Sequence, residues 1–313
     1  MTTPLSWVVG AGGLLGSSVV RALERDVRPW APPVPVAWAD PDAAVAQLHS
    51  GAADFLEAAG GEPWQVAWCA GAGVTATSLA HLERELAYLD AVLDGLRAER
   101  SGTFFLSSSA GALYAGSHAP PFDEATPIAP LSEYGRVKAE MEARVRGWAS
   151  ETGGRAVVGR IANLYGPGQG LEKPQGLISQ IIRSHLIRTP ISIYVPLDTM
   201  RDYVFAQDCG DLVRDVLRRL RSDESPEGTV VTKILASHQQ VTVGRILAEV
   251  RRIFKRSPQV VLGSSPQAAL QARDLRLRSR VWPELDRRPL TPLGAGILAT
   301  TAHLRTLQRA GRL

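Results

Sequence analysis

The sequence predicts an α/β fold: a doubly wound parallel sheet covered by helices on both faces, with a smaller α+β cap built mainly from the C-terminal half. Three observations carry this. As far as Pro167, short apolar runs alternate with longer segments of helical period, the pattern of a parallel sheet layered with helices. A glycine-rich turn joins the first apolar run to the first helical segment. The chain, at 313 residues and 45% hydrophobic, is long enough to bury one large core or two connected ones. Residues 1–166 read as the first unit and 167–313 mostly as the cap, with a strand near 229–236 returning to the main sheet.

The elements follow in order. "SWVV" is a first strand, followed by a helix from about Leu15 to Arg25. A proline-rich segment, "DVRPWAPPVPVAWAD", leads to a helix from about Asp42 to Ala59. "QVAWCAGAG" is a buried strand that ends in small residues. The next helix has leucines at 79, 82, 86, 89, 93 and 96, an apolar stripe opposite charges. "GTFFLSSSAG" is a strand running into serines, and "SEYGRVKAEMEARVRGWASE" a helix with Val137, Met141, Val145 and Trp148 on one side. "GRAVVGRIANLYGPGQG" is a strand ending in a glycine and proline loop. Beyond it, helices are expected over Leu177–His185, Asp208–Leu220 and Val243–Phe254, with short strands "ISIYV", "VVTKIL" and "QVVLG" between them.

Composition narrows the function. The formal charge is only +4, and the densest basic clusters, "RRIFKR" and Arg273–Arg288, sit beside apolar positions. That suits solvated helix faces rather than a nucleic-acid surface. Two cysteines, Cys69 and Cys209, lie in or beside apolar runs, which argues against a disulfide framework or a metal site and for a reducing compartment. No segment approaches the roughly 20 apolar residues of a membrane span, so the expectation is a soluble, cytoplasmic protein.

In "WVVGAGGLLGSSVVRAL", Gly10, Gly13 and Gly16 fall between the first strand and the first helix. Glycine there permits a tight turn and close backbone approach to a pyrophosphate, which then rests on the free N–H groups and positive end of the helix. The strand before and the helix after are the context this Rossmann-type signal requires. Leu14 and Leu15, in the first helical turn, and Ala70 and Gly71, ending the buried strand, are assigned to the same cofactor site.

"SEYGRVKAE" sets Tyr134 and Lys138 four residues apart, on one helix face. About one strand-and-loop upstream, the serine run 107–109 ends a strand, and the carboxyl ends of strands are where open α/β sheets bind ligands. A hydroxyl there can bond a substrate oxygen while Tyr134 exchanges a proton. A phenol is a poor base near neutrality, but an adjacent ammonium and a positive nicotinamide ring favour the phenolate. Lys138 can also hold the nicotinamide ribose.

The G-x-x-G-x-x-G loop, the serine and the Tyr-x-x-x-Lys pair, in this order, resemble the extended branch of the short-chain dehydrogenase/reductase superfamily. Downstream, "APPFDEATPIAPLSEYGRVKAE", "GRIANLYGPGQG", "RDYVFAQDCGDLV" and "LRLRSRVWPELDRRPLTPLGAGI" resemble its nucleotide-sugar epimerase/dehydratase group. The resemblance covers nearly the whole chain. It implies NAD, with NADP also open, and a nucleotide-sugar substrate. Its serine lies a few residues before Tyr114, at Ser109 in preference to Ser108, which is assigned to the substrate. Asn163 and Arg201 then touch the substrate's diphosphate, a sensible role for an amide and a guanidinium, while Asp202 and Asp208 orient backbone.

Asp40 has three readings. If "VPVAW" is the second strand, Asp40 holds the adenosine ribose. If "VRPW" is a truncated second strand, as "ADPDAAVAQL" favours, Asp40 closes the third strand at the adenine, and Arg28 is free to face a 2′-phosphate. It can also simply cap the next helix. Two departures bear on activity. Ser109 is followed by Ala110 and Gly111 where the 4,6-dehydratases of this group carry an Asp-Glu pair, and "YVPLDTM" replaces a glycine-rich approach in the nucleotide pocket. The resemblance therefore implies a 4-epimerase that works through Tyr134. The alternatives are a ketoreductase or dehydrogenase on the same scaffold, or a dinucleotide-binding regulator without turnover. Helices 79–98 and 133–150 are expected to pair two copies into a homodimer, as in relatives.

Overall fold

Each apolar run of the N-terminal half alternates side chains between two helix layers, which is why the strands read as continuously hydrophobic. In a computed structural model describing residues 3–99, 102–172, 176–222, 225–265 and 271–313, β1 (Leu5–Val9) is followed by α1 (Leu14–Leu23), β2 (Arg28–Trp30) and α2 (Pro41–Ala59). Next come β3 (Trp64–Trp68), α3 (Leu79–Gly95), β4 (Thr103–Ser109) and the short α4 (Ala110–Leu113). Then follow α5 (Glu133–Thr152), β5 (Arg155–Ile161) and β6 (Asn163–Tyr165). The rest comprises α6 (Leu177–Ile187), β7 (Ile191–Ile193), β8 (Met200–Phe205), α7 (Ala206–Ser222), β9 (Val230–Leu235), β10 (Gln240–Thr242), α8 (Val243–Phe254), β11 (Val260–Leu262) and α9 (Leu293–Arg309).

Six strands form one parallel sheet in the order β2-β1-β3-β4-β5-β9. Phe104 and Leu106 of β4 point toward α2, α3 and α5, into a core with Trp7, Phe55, Trp64 and Trp148. Phe105, between them, points to the other layer, where α1 and α7 contribute Val19, Leu23, Leu212 and Val216. Aromatic rings tie the first layer together: Phe55 to Trp64 at 5.8 Å and Phe104 to Trp148 at 5.7 Å between centroids. The chain leaves β1 toward β2 on one side and returns as β3 on the other. This reversal opens a crevice at the carboxyl ends of β1 and β3, the ligand position of such sheets.

Of the two strand readings of the segment before Asp40, the first fails and the second holds only for its strand. "VPVAW" forms no strand, because Pro32, Pro33 and Pro35 remove the N–H donors that a ladder needs. The second strand is Arg28–Trp30, an edge strand in which Pro29 can be tolerated, but Asp40 closes no strand after it.

The cap combines sheets β10-β8-β6 and β11-β7 with α6, α8 and α9, around Tyr165, Ile178, Ile182, Ile246 and Ile297. Residues 206–235 return to the main sheet as α7 and β9, so the two units interlock. Lys233 of β9 is fully buried, and its Nζ donates to Ser279 Oγ at 2.9 Å, Val281 O at 2.7 Å and Asp286 Oδ2 at 2.8 Å. Burial pushes the Asp286 carboxyl up, but His238 and Lys233 outweigh it and hold it below the usual carboxylate range. Among the described residues no helix is long and apolar enough to cross a membrane.

Removing one partner of a buried ion pair leaves the other uncompensated. Lys233→Met should therefore lower unfolding stability in a urea titration by about 3 kcal/mol, while Ser279→Ala, which spares the pair, should lower it far less.

Candidate active site

The glycine loop is held by steric necessity. Gly10 has φ +84°, and a Cβ there would lie 2.6 Å from Ala70 N. A Cβ on Gly16 would lie 2.0 Å from Gly10 O. The N–H of Gly13 donates to Gly10 O at 3.0 Å, closing the turn. Gly13 is the N-cap of α1 and supplies no capping side chain, and the first turn holds no acid. The N–H groups of Leu14 and Leu15 are thus left for an anion at a positive helix end. With Ala70 and Gly71 forming the opposite lip, this cradle fits the pyrophosphate of a dinucleotide.

The adenosine side is less defined. Asp40 is exposed and caps α2, its Oδ1 accepting from Ala43 N at 3.2 Å. No acidic residue lies between Trp30 and Asp40, and Arg28 is exposed on β2.

The serine run divides by period. Ser108 points into the layer beneath α5, where it is buried and donates to Glu142 Oε1 at 2.8 Å. Glu142 is held by Arg160 through Nε at 3.0 Å and Nη2 at 2.8 Å, and Arg160 Nη1 donates to the Tyr114 hydroxyl at 2.8 Å. Ser108 is therefore engaged in a buried structural network. Ser109 is half-buried and its Oγ accepts from Ala112 N at 3.3 Å, capping α4. Its own O–H remains available to donate.

Tyr134 stands in the first turn of α5, which Ser132 caps by accepting from Gly135 N at 3.2 Å. Gly135 lets this turn close on α4, since a Cβ would lie 2.7 Å from Ala112 O. The turn capped by Ser109 and the turn bearing Tyr134 are thereby in contact. Lys138 Nζ lies 5.7 Å from the centre of the Tyr134 ring. It is buried, donates to Met141 Sδ at 3.6 Å, and comes within 3.6 Å of the place a Gly71 Cβ would take. The lysine thus joins the tyrosine to the lip of the glycine crevice.

In the cap, Asn163 Nδ2 donates to Asp202 O at 3.1 Å. Arg201 is buried, and burial pulls its guanidinium below the usual arginine range. Among the described residues its hydrogen bond is to Met200 O at 2.9 Å, with no carboxylate ion pair. Asp202 accepts from Ser237 N and Asp208 from Thr291, so both orient backbone. Sequence reasoning missed Glu142, Arg160 and also Glu85, an acid on the buried face of α3. The available signal for Glu85 was its position one turn after Leu82, inside the leucine stripe.

The sequence model of a family described as "NAD dependent epimerase/dehydratase family" matches residues 7–232. The dTDP-4-dehydro-6-deoxyglucose reductase of Escherichia coli is 27% identical over 192 residues, 61% of this chain and 58% of that protein. A dTDP-glucose 4,6-dehydratase of Mycobacterium tuberculosis is 29% identical over 137 residues, 44% of this chain and 38% of that protein. The chain thus matches about half the length of these curated relatives or less. In fold it is similar to Thermus thermophilus UDP-glucose 4-epimerase solved with NAD, with a TM-score of 0.77, 20% identity, and 96% and 99% of the two chains covered. A UDP-glucuronic acid 4-epimerase from Bacillus cereus, solved with UDP-glucuronic acid and NAD, gives 0.77 at 17% identity, covering 97% and 99%.

Gly16→Ala places a methyl group against Gly10 O and must spread the loop. Calorimetric titration should then detect no dinucleotide binding by this variant, whereas Gly12→Ala, whose Cβ would meet nothing within 4 Å, should bind as the wild type does.

Proposed function

The chain belongs to the NAD dependent epimerase/dehydratase family, and from that premise we propose an NAD-dependent enzyme that epimerises a nucleotide-linked sugar at C4, with Tyr134 as its acid and base. The observation that carries the reading is the closure of the Tyr134 turn on the Ser109 turn, with Lys138 reaching back to the glycine crevice. NAD held on Gly10, Gly13, Leu14, Leu15, Gly16, Ala70 and Gly71 supplies a hydride acceptor and donor. Asp40, at the mouth of α2, faces the adenosine end.

The residues divide the work. Ser109 Oγ donates to the reacting sugar oxygen and fixes its position. Tyr134 Oη takes the hydroxyl proton as the carbon is oxidised, with the Lys138 ammonium placed beside its ring. After the sugar turns its other face, Tyr134 Oη returns the proton to the oxygen. The nucleotide diphosphate is held by Arg201, a buried cation without a carboxylate partner, together with Asn163. Ser108 contributes indirectly, by holding Glu142 beneath β4. Ala110 and Gly111, after Ser109, leave no acid and base for elimination from the sugar, which supports epimerisation over dehydration.

The match to a curated reductase supports a second reading, net reduction of a 4-keto sugar. An epimerase regenerates its NAD each turnover, so it should purify with bound dinucleotide and convert UDP- or dTDP-hexoses without added cofactor. Protein free of dinucleotide that consumes external NADPH with a keto sugar would instead establish the reductase. The unpaired cysteines support a cytoplasmic setting.

Tyr134→Phe should abolish turnover of the sugar while leaving dinucleotide affinity within a factor of about two of wild type, since the ring packing is kept; a retained rate rejects the mechanism. We also propose a homodimer through the outer faces of α3 and α5, where Asp90 and Arg144 meet. Light scattering at working concentration should give twice the 33.7 kDa chain mass, and a monomer rejects it.

A further inference from the structure

Glu85 belongs to the buried side of α3, with Leu82, Leu89 and Val92. It is only 8% exposed, and a carboxylate so enclosed needs partners for both oxygens. Oε1 has them: it accepts from Ala72 N at 2.5 Å and Gly73 N at 2.6 Å, which fixes the loop that follows β3. Oε2 is buried and, among the described residues, accepts no hydrogen bond.

That oxygen faces a particular place. It lies 3.2 Å from the point a Gly71 Cβ would occupy, and Lys138 Nζ lies 3.6 Å from the same point. The missing side chain of Gly71 thus leaves a gap with a carboxylate oxygen on one wall and an ammonium on the other. Glu85 and Lys138 form no ion pair across it, although the low dielectric of a buried site makes the attraction large. Lys138 rests instead on the thioether of Met141.

An acceptor facing a donor across a gap is complementary to a hydroxyl, which donates to the carboxylate and accepts from the ammonium. A phosphate oxygen there would be repelled by Glu85. The gap adjoins the crevice lip, and Lys138 is one helical turn from Tyr134, so it lies at the hydride-transfer end of the cofactor site rather than at the adenosine end. We propose that Glu85 is a cofactor-binding residue, whose Oε2 accepts a hydrogen bond from a hydroxyl of the nicotinamide-side ribose beside Lys138. The proposal rests on the reading that a dinucleotide occupies the glycine crevice.

Glu85→Gln separates this role from loop support. Its amide oxygen can still accept from Ala72 N and Gly73 N, whereas the other position changes from an anionic acceptor to a donor that faces Lys138. The experiment first strips any co-purified dinucleotide, then titrates wild type, Glu85→Gln and Glu85→Asp with NAD and with ADP by calorimetry, and records thermal unfolding of each protein without ligand. ADP carries the adenosine ribose and lacks the nicotinamide one. Both variants should bind NAD roughly tenfold or more weakly, the loss expected for one hydrogen bond to a charged group, with ADP affinity unchanged. Glu85→Asp keeps the charge but draws it back by one methylene, so it also tests reach. Equal weakening of NAD and ADP overturns the proposal, as does lowered thermal stability with unchanged NAD affinity, or no change in either. A wild type that binds no dinucleotide overturns the functional reading itself and this inference with it; a wild type that binds, beside variants that bind equally well, overturns this inference alone.

Discussion

Three backbone segments meet at Gly10 with no space for a side chain between them. The end of β1, the start of α1 and the end of β3 converge there, so that a Cβ on Gly10 would strike Ala70 and one on Gly16 would strike Gly10 O. The rest of the site inherits its geometry from this contact. It draws the N-terminus of α1 over the crevice, leaves the first-turn N–H groups facing it, and fixes where Ala70 and Gly71 end the third strand. The reversal of strand order at β1 supplies the opening, and the glycines set how closely a ligand's backbone contacts can approach.

The opposite wall depends on a different kind of interaction. Glu142 and Arg160 are buried together between β4, α5 and β5, with Ser108 and Tyr114 using the remaining valences. A buried ion pair adds little net stability compared with apolar residues of the same size, but it tolerates few alternative arrangements. Anchored through Glu142, α5 presents Tyr134 and Lys138 at a defined height, and Gly135 sets its distance from the turn that follows β4.

The main sheet was legible in the sequence because its central strands β1, β3, β4 and β5 are largely buried on both faces, so each reads as an apolar run bounded by turn residues. The glycine loop and the Tyr134–Lys138 spacing were legible for a related reason: each lies within a single local element. What was not legible depended on packing between elements. The run 31–39 contains enough valine and tryptophan to suggest a strand, but its prolines cannot pair, and Asp40 becomes a helix cap. Ser108 and Ser109 are adjacent and chemically identical. Only the pleat of β4, which turns one toward Glu142 and the other toward Ala112, gives them different work. In the sequence Glu85 is one of several acids on an amphipathic helix; its place is set by the loop after β3, which folds over it.

The two buried arginines, Arg160 and Arg201, make the same point through electrostatics. Burial pulls both guanidinium groups down, because a charged group loses its hydration. For Arg160 the hydrogen bonds and charge of Glu142 more than offset this, and the net shift is upward. For Arg201 burial outweighs the upward pull of Tyr203 and Asp274, the latter itself engaged by Arg276, and the net shift is downward. Arg160, with its anion built into the chain, belongs to the scaffold. Arg201 has no carboxylate ion pair among the described residues and is held in the cap by the Met200 carbonyl. Glu85 is the anionic counterpart on α3: its Oε2 is buried and, among the described residues, accepts no hydrogen bond.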